Sequence, residues 1–188
     1  MKDYFSGSQI LDCDCYVADY TESSCNRKGV VISLEPFSDI SYFHLKKVNR
    51  NQSMPYLAVN LEEYENFIKG TQNCECIFSS MKDDGRSWLL FLETKYCDSG
   101  NIDRHAFKAY SQMWATMSKL VELDLVDLAT KRVYFAYSVP GHDDLSPFSN
   151  FVWTQNETLQ KIQEAGVQPL PYNTILIATP EYLFVPRR

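Results

Sequence analysis

The run Trp88-Leu89-Leu90-Phe91-Leu92 constrains the fold of this chain more than any other segment. Successive residues of a strand point to opposite faces, so a strand apolar at every position has no face suited to water. It requires an interior position with a packed layer on each side. Cys74-Glu75-Cys76-Ile77-Phe78 precedes it, across the turn Asp83-Asp84-Gly85. A three-residue loop with Gly85 in the left-handed region joins the two as a hairpin. That register opposes Lys82 to Arg86 and, at the far end, Glu75 to Glu93. Opposed residues share a face with β-carbons about 5 Å apart, so two like charges there repel unless something positive lies between them. Lys95 is two residues beyond Glu93 and points to the same side. Carboxylates beside an apolar strand are costly unless a cation, a substrate or hydrogen bonds compensate them. Glu75, Glu93 and Lys95 are therefore the candidate site.

The elements around the hairpin are legible in outline. Residues 1–29 are polar and read as irregular structure or a short strand. Val30-Val31-Ile32-Ser33-Leu34 is a strand stopped by Pro36, and Ile40 to Val48 suits another. Asn51-Gln52-Ser53 with Pro55 marks a turn. Asn60 to Gly70 reads as a short helix, with Asn60 as cap, Glu63 at the third position of a capping box and Gly70 as stop. Leu61, Tyr64 and Ile68 form its buried stripe, with Glu65 at the margin. Asp103 to Leu123 is the strongest helix, its apolar face built from Ala106, Phe107, Tyr110, Met113, Trp114, Met117, Leu120 and Val121. His105, Lys108, Gln112, Thr116 and Lys119 occupy its other side. Arg132 to Val139 is a strand ending at Pro140-Gly141. A loop over 140–154, a helix from Gln155 to Ala165 and a strand at Thr174–Ala178 complete the chain. The order implies a single α/β domain over residues 1–188, with a mixed central β-sheet flanked by helices, a core of about 55–180 and residues 1–29 as an extension.

Composition narrows the function classes. At 188 residues, with 45% hydrophobic and 14% aromatic content, the chain suffices for one well-buried domain. No apolar run approaches the roughly 18 residues of a membrane-spanning helix, and the start lacks the order of a secretory signal, so a cytoplasmic location is expected. The six cysteines form no Cys-x-x-Cys spacing, and reduced, structural thiols are expected. The net charge of −6 argues against a free-standing, nonspecific DNA binder, which would show a basic footprint.

A short acidic helix, a hairpin with an acid on one strand and Glu-x-Lys on the next, and a long helix carrying Gln behind it resemble the restriction-endonuclease-like, or PD-(D/E)XK, nuclease superfamily. The likeness covers roughly residues 60–140. Glu93-Thr94-Lys95 matches the Glu-x-Lys element, Glu75 the first-strand acid, Gln112 the helix-borne glutamine and Glu65 the upstream helical acid. The resemblance implies a restriction-endonuclease-like fold and hydrolysis of DNA phosphodiesters, with Glu75, Glu93 and Glu65 as ligands of Mg²⁺ or Mn²⁺. It assigns catalytic roles to Glu75, Glu93, Lys95 and Gln112. With the acidic net charge it implies either a homodimer with a locally basic cleft or a module that relies on partners to hold DNA. The other reading is a nuclease fold without catalysis, serving as a binding or assembly module; Glu in place of the superfamily's usual first-strand Asp keeps it in view.

Other features carry less. His44, His105 and His142 form no paired metal-binding spacing. Asp143-Asp144 reads as solvated loop, and the aromatic run from Phe148 to Trp153 as core. Lys46, Lys47 and Arg50, with Arg27 and Lys28 upstream, are the nearest thing to a phosphate-contact patch. No phosphate-binding glycine loop, serine-nucleophile elbow or dinucleotide fingerprint is present, which disfavours those chemistries.

Overall fold

A computed structural model describes residues 1–21, 29–64, 67, 73–82, 85–142 and 157–186. The interior strand demanded by the sequence is β7 (Ser87–Thr94), buried along its whole length. Leu89 and Phe91 face a core shared with helix α1 (Ile102–Glu122), while Trp88, Leu90 and Leu92 face a second core on the opposite side. On one edge β7 pairs antiparallel with β6 (Cys76–Ser80), and on the other it runs parallel to β8 (Lys131–Ser138). The hairpin register is the expected one, with Ser79 opposite Leu89 and Cys76 opposite Leu92.

The sheet has six strands in the order β1-β5-β6-β7-β8-β9, where β1 is Gln9–Leu11, β5 Tyr56–Asn60 and β9 Gln168–Leu170. Its helix-side face packs on α1 and on Ile162 of α2 (Glu157–Glu164). The parallel β7–β8 pair needs a crossover, and α1 supplies it.

What covers the other face corrects the expectation of helices on both flanks. A second sheet of five strands lies there, in the order β11-β10-β4-β2-β3. It consists of β2 (Cys15–Asp19), β3 (Val30–Ser33), β4 (Phe43–Lys47), β10 (Thr174–Ile177) and β11 (Leu183–Phe184). Cys15, Val17, Phe43, Leu45, Ile175 and Ile177 from this sheet interdigitate with Tyr56, Phe78, Trp88 and Leu90 of the first. The molecule is thus a mixed α/β domain of three layers, helices on sheet on sheet.

The extension is corrected as well. Residues 1–29 contribute β1 and β2, and Phe5 is fully buried in the helix-side core. The inward pair Cys15 and Val17 is too short an alternation to stand out within a polar stretch. Tyr56–Asn60, left unassigned between a turn and a helix, is β5, an interior strand between β1 and β6. The expected helix at 60–70 shows a single 3₁₀ turn at Leu61–Glu63, capped by the Asn60 side chain on the Glu62 N–H (3.1 Å). Glu65, Ile68 and Gly70 lie outside the described residues.

The apolar face of α1 is rotated from its expected place. Phe107 and Val121 are exposed, whereas Gln112 and Thr116 are buried. The reason is local: the Thr116 hydroxyl accepts the Cys74 N–H (3.0 Å), and the Gln112 amide donates to the Asn73 carbonyl (2.9 Å). Two polar side chains are drawn inward because they satisfy backbone groups that enter β6. No described helix is long and apolar enough to cross a membrane.

Candidate active site

The site lies where the β6–β7 ladder ends. Regular pairing stops at Cys76 and Leu92, one step short of the two glutamates. The Glu75 backbone is then clamped by different partners. Its N–H donates to the Leu92 carbonyl and to Glu93 Oε2, both at 3.1 Å, and its carbonyl accepts the Leu61 N–H at 2.8 Å. On the far side of Glu93, the parallel ladder continues past β7 through Lys95 N–H to the Ser138 carbonyl (2.9 Å). Both acids are therefore held by backbone that cannot shift without breaking sheet pairing.

The side chains meet as the register requires. Lys95 Nζ is 2.6 Å from Glu93 Oε1 and 3.4 Å from Glu75 Oε1. Glu75 Oε2 accepts the Thr94 N–H (2.9 Å) and the Thr94 hydroxyl. Glu93 is 1% exposed and Glu75 7%, while the lysine is partly open to solvent. The three tips expected to converge do converge.

Two carboxylates share one ammonium, which leaves one negative charge in surplus. Burial pushes Glu75 well above the usual carboxylate range, and the Glu93 charge adds to the push against the opposing pull of Lys95 and Thr94. Glu93 is also raised by burial, with Lys95 restraining it. Burial alone would lower Lys95, but Glu93 first and then Glu75 outweigh it and hold the ammonium charged above its ordinary range. Burial and the surplus charge thus both favour a proton on the carboxylate pair in the absence of another cation.

One acid near the site has no counterpart in the expected set. Asp19, at the end of β2 in the second sheet, adds its negative charge to the field on both Glu75 and Glu93. Its carboxylate caps a local turn by accepting the Thr21 N–H (2.8 Å). Tyr96, next to Lys95, accepts from the Asp19 backbone and donates to the Ser41 carbonyl (2.6 Å), tying the mouth of the site to the second sheet. Pairing between sheets brings Asp19 there, and nothing in local sequence signals it.

Gln112 is corrected in its surroundings: it is buried against Asn73, and its Oε1 has no hydrogen-bond partner. It holds the strand entry two residues before Glu75. Glu65 lies outside the described residues, and among those described no three His, Cys, Asp or Glu side chains form a metal-holding group. The donors that fit a hard divalent ion are the carboxylates of Glu75 and Glu93. Mg²⁺ takes oxygen ligands, uses one or two carboxylates and keeps waters or substrate oxygens for the rest.

The proposed phosphate-contact patch is corrected too. Lys47 is buried, with Nζ 2.5 Å from Asp12 Oδ1, and Arg50 bonds Asp14 Oδ2 at 2.8 Å. Lys47 is thereby taken up within the fold, and Arg50 is paired through one nitrogen but keeps an exposed side. Arg27, Lys28, Asp143, Asp144 and the run from Phe148 to Trp153 lie outside the described residues. Cys13, Cys15, Cys74 and Cys76 are free thiols, and burial pushes Cys15 up to about 12.

No family model matches the chain, and neither does any curated protein or solved structure.

Proposed function

We propose that this protein is a metal-dependent nuclease of the restriction-endonuclease-like type, hydrolysing DNA phosphodiesters at Glu75, Glu93 and Lys95. The observation that carries the reading is a buried carboxylate pair sharing one ammonium. With both acids ionised the group carries −1, which a proton brings to neutrality; a divalent cation in place of that proton makes it +1, which matches the single negative charge of a phosphodiester.

Glu75 and Glu93 would hold Mg²⁺ or Mn²⁺, which supplies Lewis-acid polarisation of the phosphate and a bound water of lowered pKa. The chain's own groups do the rest. The Thr94 N–H and hydroxyl fix Glu75 Oε2, and the Glu75 N–H fixes Glu93 Oε2, so the remaining Oε1 of each acid faces the Lys95 ammonium, which would share them with the metal. Lys95 is held protonated, which makes it a donor and not a general base. Its ammonium stabilises charge building on the phosphoryl oxygens or orients the attacking water. Gln112 acts at one remove, by holding the Asn73–Glu75 backbone.

Thermal melts with Mn²⁺ or Mg²⁺ test the metal. The melting temperature should rise for the wild type and not for Glu93→Ala. Plasmid cleavage with and without EDTA tests the activity. Absence of metal-dependent cleavage on duplex, single-stranded and branched DNA would replace the nuclease reading with that of a catalytically inactive binding or assembly module.

A further inference from the structure

The outer face of the second sheet carries a row of partly exposed aromatic rings, anchored at one end where Phe37 packs on buried Tyr20. Along β4, Phe43 and Leu45 point into the inter-sheet core, so Tyr42, His44 and Lys46 point outward. On the neighbouring strand Tyr16 is opposite His44, between the inward residues Cys15 and Val17. The rings touch in sequence. Phe37 lies 6.1 Å from Tyr42, Tyr42 meets Tyr16 edge-to-face at 5.2 Å, and Tyr16 stacks on His44 at 4.5 Å with planes 17° apart. All four are only partly buried.

One hydrogen bond links the row to the segment that carries Lys95. The Tyr96 hydroxyl, one residue from Lys95, bonds the carbonyl of Ser41, one residue from Tyr42. The row ends beside two cations. Lys46 is exposed on the same line, and the Arg50 side chain is 76% exposed, with one nitrogen on Asp14 and further donors to spare.

We propose that this face binds single-stranded DNA, with unpaired bases stacking on Tyr42 and Tyr16 and the strand leading past Ser41 and Tyr96 to Glu75, Glu93 and Lys95. The inference rests on the nuclease reading and names its substrate class. A duplex hides its bases in its own stack and must be held by its phosphates, which calls for a basic footprint. A chain of net charge −6 whose Lys47 and Arg50 are tied to carboxylates is poorly suited to that. Aromatic faces hold an unpaired base of any kind, beside the cations that meet its backbone. The stack on His44 and the edge contact with Tyr42 hold Tyr16 in place before a base arrives, so little ordering is required on binding.

Fluorescence anisotropy with a labelled oligothymidylate, in EDTA, separates binding from cleavage. The wild type should bind it with no metal present. Tyr16→Ala and Tyr42→Ala should each weaken binding about tenfold. Tyr16→Phe and Tyr42→Phe keep the ring and should bind as the wild type does, which removes loss of folding as an explanation. With at most two phosphates neutralised, the slope of log K against log salt should be no steeper than about −1.4. Equal binding by the alanine variants, absence of binding, a steep salt slope or tighter binding to a duplex of the same length would each overturn this inference. None of them touches the cleavage test, which judges the nuclease reading separately.

Discussion

Replacing Glu75 by glutamine should stabilise the folded protein at neutral pH, and the gain should grow with pH. The amide is isosteric and retains an oxygen for the Thr94 N–H and hydroxyl. What disappears is the carboxyl whose burial favours proton uptake on folding, leaving Glu93 and Lys95 as a balanced pair. In the wild type the folded state holds a proton that the unfolded chain gives up once the pH passes the ordinary glutamate value of 4.5. Above that point the folded state binds more protons than the unfolded one, so stability falls as pH rises. One extra proton costs about 1.4 kcal/mol per pH unit. For a chain of 188 residues, 1 kcal/mol corresponds to about 2–4 °C in melting temperature. The melting temperature of Glu75→Gln minus that of the wild type should therefore climb by about 3–5 °C per pH unit above 4.5, in EDTA. Saturating Mg²⁺ should flatten the wild-type curve, because the ion takes the place of the proton. Parallel pH profiles for the two proteins, or a variant less stable than the wild type at neutral pH, would refute the charge argument.

Three further outcomes follow from the same contacts. Thr116→Val removes the acceptor of the buried Cys74 N–H at constant volume and should cost about 1–3 kcal/mol in urea unfolding. Lys95→Met leaves both acids without a cation; metal-free melts should show a large loss of stability at pH 8, shrinking as the pH falls toward 5 and the acids protonate. Asp19→Asn withdraws a negative charge from both glutamates and should lower the pH at which the pair releases its proton, read by carboxyl NMR titration or by apparent Mn²⁺ affinity at fixed pH.

The contrast between Glu75 and Gln112 shows what a sequence can and cannot convey about a site. Glu75 was placed by arithmetic on a hairpin: a turn at Gly85 and strict alternation determine which residues meet seven positions away. Gln112 was assigned to the polar side of its helix because periodicity measures one helix alone. Its actual side depends on the Asn73 carbonyl, which arrives from another element. Lys47 shows the same effect, since a basic residue in an exposed-looking strand is buried once Asp12 reaches it.

What the chain alone determined was local: the all-apolar β7, the β6–β7 register, the long helix, and with them the meeting of Glu75, Glu93 and Lys95. These follow from alternation, turn chemistry and helical period, which act over a few residues. What only the tertiary structure decided was the partner for the second face of β7, a sheet assembled from β2, β3, β4, β10 and β11. Its strands come from both ends of the chain and are two to five residues long; β3, β4 and β10 are legible as strands, but nothing local pairs them into one sheet, which forms when their inward residues meet Tyr56, Phe78, Trp88 and Leu90. The same assembly brings Asp19 to the glutamates and sets the row of rings beside them, because contacts between sheets are made by distance in space and not by spacing in sequence.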